Sequence, residues 1–205
     1  YNSNPNWIEL FVWMTMMSVM MIPSAYPWIA AFLSISKSSN NGSLKASWVI
    51  LFILGYIVVW SGFSVLLLFS NFQLDRIFQR SSLNQIDLYS SISPWVLISV
   101  GAYQLTPLKN ACLKHCRTPL HYFLAQWKNG PRGALLMGAH HGIFCLGCCW
   151  ALMLAMFSLG LMSLVWMVLF TLIVSIENLL AQGEVFARLV GAIMMTWGIT
   201  LILGS

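Results

Sequence analysis

Charge is scarce in this sequence. Asp, Glu, Lys and Arg together make up 7% of the residues, whereas a soluble domain carries about 25%. So few charges cannot cover a water-facing surface, and a soluble globular fold is excluded. Cysteine and histidine are absent everywhere except between Cys112 and Cys149, where all five cysteines and all four histidines lie. There is no Ser/His/Asp arrangement, no phosphate-binding glycine loop and no Cys-x-x-Cys-His haem motif, which removes hydrolase and c-type haem readings. Internal repeats and low-complexity linkers are also lacking, so residues 1–205 read as a single helical domain. No nucleic-acid partner is expected. The opening lacks a cleavable signal pattern: Tyr1 to Trp7 is polar, and the apolar run that follows is too long for a signal sequence. The first residue is not Met, so missing upstream residues are an expectation.

What is abundant is apolar. Hydrophobic residues make up 59% of the chain, and the mean hydropathy is +0.80. Six apolar segments, about 8–34, 47–70, 93–108, 133–158, 160–180 and 186–204, each approach the roughly 20 residues that span a bilayer. The expected fold is an all-α, polytopic membrane helix bundle of about six transmembrane helices, with the lipid bilayer as its first partner. Pro23 and Pro27 predict a kink or break in the first segment. Leu159 and Gly160 alone separate the fourth and fifth, which predicts a tight antiparallel hairpin. Residues 71–92 mix Phe72, Leu74, Ile77 and Phe78 with Asp75, Arg76 and Arg80, the pattern of an interfacial amphipathic helix. With six spans, Lys37, Lys45, Lys109, Lys114, Arg117, Lys128, Arg132 and Arg188 fall on one side, and Arg76 and Arg80 on the other. The positive-inside rule makes the first side cytoplasmic. Both termini are then periplasmic, in a bacterial inner membrane.

The window from Cys112 to Cys149 carries the chemistry. On a helix, Met137, His141, Cys145 and Cys148 are spaced by four, four and three residues and share one face, with Cys149 and Met153 on a neighbouring stripe. Thiolate, imidazole and thioether donors with no carboxylate suit Cu(I) first and Zn(II) second. Adjacent Cys148 and Cys149 point about 100° apart, so they are not expected to hold one ion together on an intact helix. Pro107 opens a short helix over 107–116, which puts Cys112 and Cys116 at i and i+4, with His115 beside their face. In a joint site, Cys112 and Cys116 meet His141 or Cys145. A disulfide within either cysteine group is the rival reading, disfavoured by cytoplasmic placement. His121 reads as an interfacial aromatic; His140 either snorkels or orients His141. The methionines crowding the first segment read as packing before ligands. Gly138 and Gly142 form a small-xxx-small pattern that admits a close helix. Glu177, an acid in an apolar run, is expected to snorkel or to pair with a base of the 109–132 loop. One such acid gives a poor ion pathway, so a transporter is disfavoured.

Several blocks occur in order: Met20-Met21-Ile22-Pro23-Ser24-Ala25, Gly55-Tyr56 with Trp60, Gly101-Ala102-Tyr103-Gln104-Leu105-Thr106-Pro107-Leu108-Lys109, Cys112 with Cys116-Arg117, and Gly142 to Met153 containing Cys145-Leu146-Gly147-Cys148-Cys149-Trp150. Across nearly the whole chain this resembles a bacterial family described as predicted metal-binding integral membrane proteins. The resemblance implies metal binding and supplies no reaction. It places Gln104, Lys109, Arg117 and Glu177 at family-like positions. Asn178 stands where a base is expected, which weakens the case for an ion pair at Glu177. The leading expectation is a copper-handling membrane protein with Cys112, Cys116, His141, Cys145, Cys148 and Cys149 as metal ligands. Lys109 and Arg117 would stabilise thiolate charge, and the partner would be a subunit of a membrane metalloenzyme complex. The alternatives are an accessory structural subunit of such a complex (a copper monooxygenase or a respiratory assembly) and a membrane thiol–disulfide exchange protein.

Overall fold

A computed structural model describes residues 7–39, 46–79, 85–158, 164–180 and 182–204, and all its regular structure is helical. In order these are α1 (Trp7–Ser39), α2 (Ala46–Gln79), α3 (Gln85–Gln104), α4 (Pro107–Cys116), α5 (Pro119–Gln126), α6 (Pro131–Ser158), α7 (Leu164–Leu179) and α8 (Gly183–Gly204). Among the described residues, four stretches are long and apolar enough to cross a membrane: Leu10–Ser36, Ser47–Ser70, Pro131–Met156 and Gly183–Gly204. The fifth apolar segment, α7, has 16 residues. The third forms a 20-residue helix with Gln85 and Asp87 in its first turn. The polytopic helical fold is as expected, while six full spans exceed the four that meet the length and hydropathy of a spanning helix.

Local expectations fare unevenly. Pro23 and Pro27 lie inside α1, which continues through both without a break. Neighbouring helices in an apolar setting tolerate the lost backbone donors that end a helix in water. Among the described residues of 71–92 there is no separate interfacial helix: those up to 79 prolong α2 and those from 85 open α3. The Leu159–Gly160 connection lies outside the described residues. The helix expected over 107–116 forms with those bounds. Pro107 supplies its first-turn φ, and the Thr106 hydroxyl caps it by accepting from the Lys109 amide at 3.4 Å.

Helix α6 is the hub. In its spanning stretch 56% of the residues are buried, against 28–39% in the other three, and it packs on α2, α3, α4 and α7. Its tightest partner is α2. A Cβ at Gly138 would strike the Phe52 carbonyl, and one at Gly55 would strike the Leu135 carbonyl. The small-residue pattern read in the sequence therefore serves a backbone-to-backbone approach. Helix α5 lies against the N-terminal half of α6, where Tyr122 stacks on His140, and α4 lies against its middle, from Phe144, on which His115 stacks, to Cys148. Helix α7 ends at Leu179, beside α6 at Cys148, whereas α6 runs 17 residues further to Pro131, about 26 Å at 1.5 Å per residue.

Candidate metal centre

The Sγ atoms of Cys145, Cys148 and Cys149 lie within 4.8 Å of one another, and all three residues are buried. This corrects the expectation that adjacent Cys148 and Cys149 diverge too far to share an ion. Both thiols turn back to donate to the Cys145 carbonyl, at 3.0 and 2.9 Å. One backbone oxygen thus gathers two sulfurs that the helix wheel separates, and α6 stays helical throughout. An ion about 2.3 Å from each sulfur holds them roughly 3.8–4.0 Å apart, so a small closure brings the trio to bonding geometry.

Helix α4 contributes from the side. Cys116 Sγ is 4.0 Å from Cys148 Sγ, already at the spacing of two thiolates on one ion. Cys112 packs over Gly147, where an added Cβ would come 3.0 Å from its sulfur. The two cysteine groups therefore meet, but at Cys148 and Gly147 rather than at His141 or Cys145. The hydrogen bond to Cys148, and burial after it, push the Cys116 thiol well above its usual range; burial raises Cys112 as well. All five cysteines are free thiols.

Trp28 explains the shift in pairing. Its indole donates to the Cys116 carbonyl at 2.5 Å and stacks on His141 with ring centres 4.1 Å apart. The ring thus stands between the end of α4 and His141. His141 is buried within an aromatic stack that also includes Tyr56, and it lies outside the sulfur trio. Neither of its ring nitrogens has a hydrogen-bond partner. His115 and His140 lie in the same layer, and burial and the nearby His140 hold His115 below the usual imidazole range. His121 is exposed, in line with an interfacial role.

Three residues at the trio were not among the ligands expected from the sequence. Met21 Sδ is 3.9 Å from Cys149 Sγ, the Tyr56 hydroxyl is 3.4 Å from Cys145 Sγ, and Asn178 Oδ1 is 3.9 Å from Cys148 Sγ. Met21 sits in a run of methionines in which spacing alone cannot separate a thioether donor from packing.

Next to the trio lies a buried ion pair. Lys109 Nζ is 2.7 Å from Glu177 Oε2, with side chains 0% and 2% exposed. Gln104 bridges it, accepting from Lys109 and donating to Glu177. The pair to a base of the 109–132 loop therefore forms, and Asn178, which weakened that expectation, faces a cysteine instead. The Lys109 charge is matched by Glu177, while Arg117 caps the end of α4.

Among protein families, one described as a copper chaperone family (PpoB2) matches residues 10–201. No curated protein and no solved structure matches the chain significantly.

Proposed function

The chain belongs to that copper chaperone family, and on this premise we propose that it holds Cu(I) within a membrane and passes it to a membrane metalloenzyme. The observation that carries the reading is the buried sulfur trio, with a fourth sulfur 4.0 Å from one of its members. Cys145, Cys148 and Cys149 bind the ion and Cys116 completes the set from α4. Cys112 stands in reserve over Gly147, and His141 packs behind as an aromatic neighbour rather than in the set. Soft sulfur donors with no carboxylate favour Cu(I), and the Met21 thioether adds to that preference. A tetrahedral set of four cysteines also suits Zn(II), so the metal is part of the test.

A chaperone must release what it binds. The trio is buried beside the end of α7, 17 residues of α6 from Pro131 and 10 from Ser158, so release needs a path from inside the bundle to a partner. The proposed setting is a bacterial inner membrane with the 109–132 segment on the cytoplasmic side.

Metal content by mass spectrometry, on protein purified from its native membrane, tests the reading. Near-stoichiometric copper is expected in the wild type and a loss of at least tenfold in Cys145→Ser/Cys148→Ser. Zinc in its place would reassign the ion, and absence of both from a folded wild type would overturn the reading. The 4.0 Å gap between Cys116 and Cys148 also favours a second reading, thiol–disulfide exchange. That reading requires the sulfurs to close to about 2.05 Å. A thiol count on metal-free protein separates the two: five free thiols support copper binding, and three with one disulfide support exchange.

A further inference from the structure

Three histidines beside the sulfur trio carry buried ring nitrogens with no hydrogen-bond partner: Nε2 of His115, Nδ1 of His140, and both nitrogens of His141. A buried polar atom left unpaired costs about 1–3 kcal/mol, and buried groups of this kind are normally satisfied. Four such atoms in one layer need an explanation beyond packing. His115 and His140 come from different helices, α4 and α6, and their ring centres are 5.5 Å apart. A metal lies about 2.0–2.1 Å from an imidazole nitrogen, hence roughly 3.2 Å from the ring centre, so two rings sharing an ion are separated by at most about 6.4 Å. The observed separation is within that reach.

We propose that His115 and His140 form a second, exchangeable Cu(I) site on the side of the sulfur trio facing the 109–132 segment. Its use in delivery rests on the copper-handling reading above; the pair itself does not. His140 precedes Cys148 by eight residues of α6, about 12 Å along the axis, in the direction of Pro131. An ion arriving from that side meets the histidines first. His115 is followed directly by Cys116, whose sulfur touches Cys148. The chain thus offers a graded path from nitrogen to sulfur donors. Copper remains Cu(I) along it: each Cu–N bond that breaks is replaced by a Cu–S bond, and the accepting thiol's proton goes to the imidazole nitrogen that the ion leaves. Nitrogen donors hold Cu(I) less firmly than thiolates, which gives the transfer its direction. Both histidines are half-buried whereas the trio is buried, as first contact and final holder should be.

The test is anaerobic titration of the full-length protein in detergent with Cu(I), read by chelator competition and by X-ray absorption at the copper edge. Two equivalents are expected in the wild type, a tight one with sulfur neighbours and one at least tenfold weaker with two nitrogen neighbours. His115→Phe and His140→Phe each keep a ring for stacking on Phe144 and Tyr122. Each should abolish the weak equivalent and keep the tight one, and His121→Phe should change neither. Absence of nitrogen-bound copper from the wild type, or its persistence in both phenylalanine variants, would overturn the proposal. Cys145→Ser/Cys148→Ser should lose the sulfur-bound equivalent and keep the nitrogen-bound one, and loss of both would overturn an independent histidine site. Nitrogen-bound copper in wild-type protein that lacks the sulfur-bound equivalent would sink the trio and leave the pair standing; the reverse pattern would sink only the pair.

Discussion

Lys109 and Glu177 are fully enclosed, and each is the other's compensation, with Gln104 satisfying what remains. Removing one partner of such a pair strands a buried charge at a cost of about 3–5 kcal/mol, whereas replacing both with apolar residues is often neutral. Lys109→Met and Glu177→Gln should therefore each lower the melting temperature markedly in detergent, and Lys109→Met/Glu177→Leu should recover most of the loss. A double variant as unstable as the singles would show that the pair's contribution is not mutual. Sequence flagged Glu177 because an acid in an apolar run is costly. It did not select Lys109 from the bases available, because 68 residues separate the partners and only the packing of α4 on α7 joins them.

At the scale of elements, α6 was the most legible and α4 nearly so. The apolar segment read at 133–158 forms as α6, two residues longer at its start, and Pro107 marked where α4 starts. Glycines on α6 announced a close partner without naming it; the structure names α2, through Phe52 and Gly55. Overpacking typically costs 1–3 kcal/mol and sometimes more. Gly138→Val, which forces a side chain onto a backbone carbonyl, should reach the upper end of that range. The expected readout is a lower melting temperature and copper release from the same preparation, whereas Gly62→Val, at a glycine with open space around it, should leave both unchanged. Side-chain direction within α6 was the illegible part. A helix wheel fixes where Cβ points, but the turn of two thiols toward one carbonyl is a rotamer choice set by burial.

Over the whole molecule the helices differ in length, and this gives it two levels. Helix α7 stops beside Cys148, while α6 continues about 26 Å beyond, flanked by α2 and by the short helices α4 and α5. The sulfur trio lies where these levels meet and the histidine layer lies past it. Reporter fusions check the orientation: a reporter active only in the cytoplasm should score when fused within 127–130, and a periplasm-dependent one when fused after residue 204. The opposite pattern would reverse the side from which copper is loaded.

Composition pointed to lipid as the solvent. Charged residues at 7% and mean hydropathy +0.80 are compatible with a bilayer, where backbone hydrogen bonding requires helices or a closed barrel. The apolar lengths chose helices, and the single window of cysteine and histidine chose the chemistry. Tertiary structure decided which of those donors meet. Cys116 reaches Cys148, Met21 reaches Cys149, and Trp28 stands between α4 and His141. The candidate donors come together through contacts between residues far apart in the chain. Such contacts depend on how helices cross and which rotamers fit, and neither is written in the spacing along one helix.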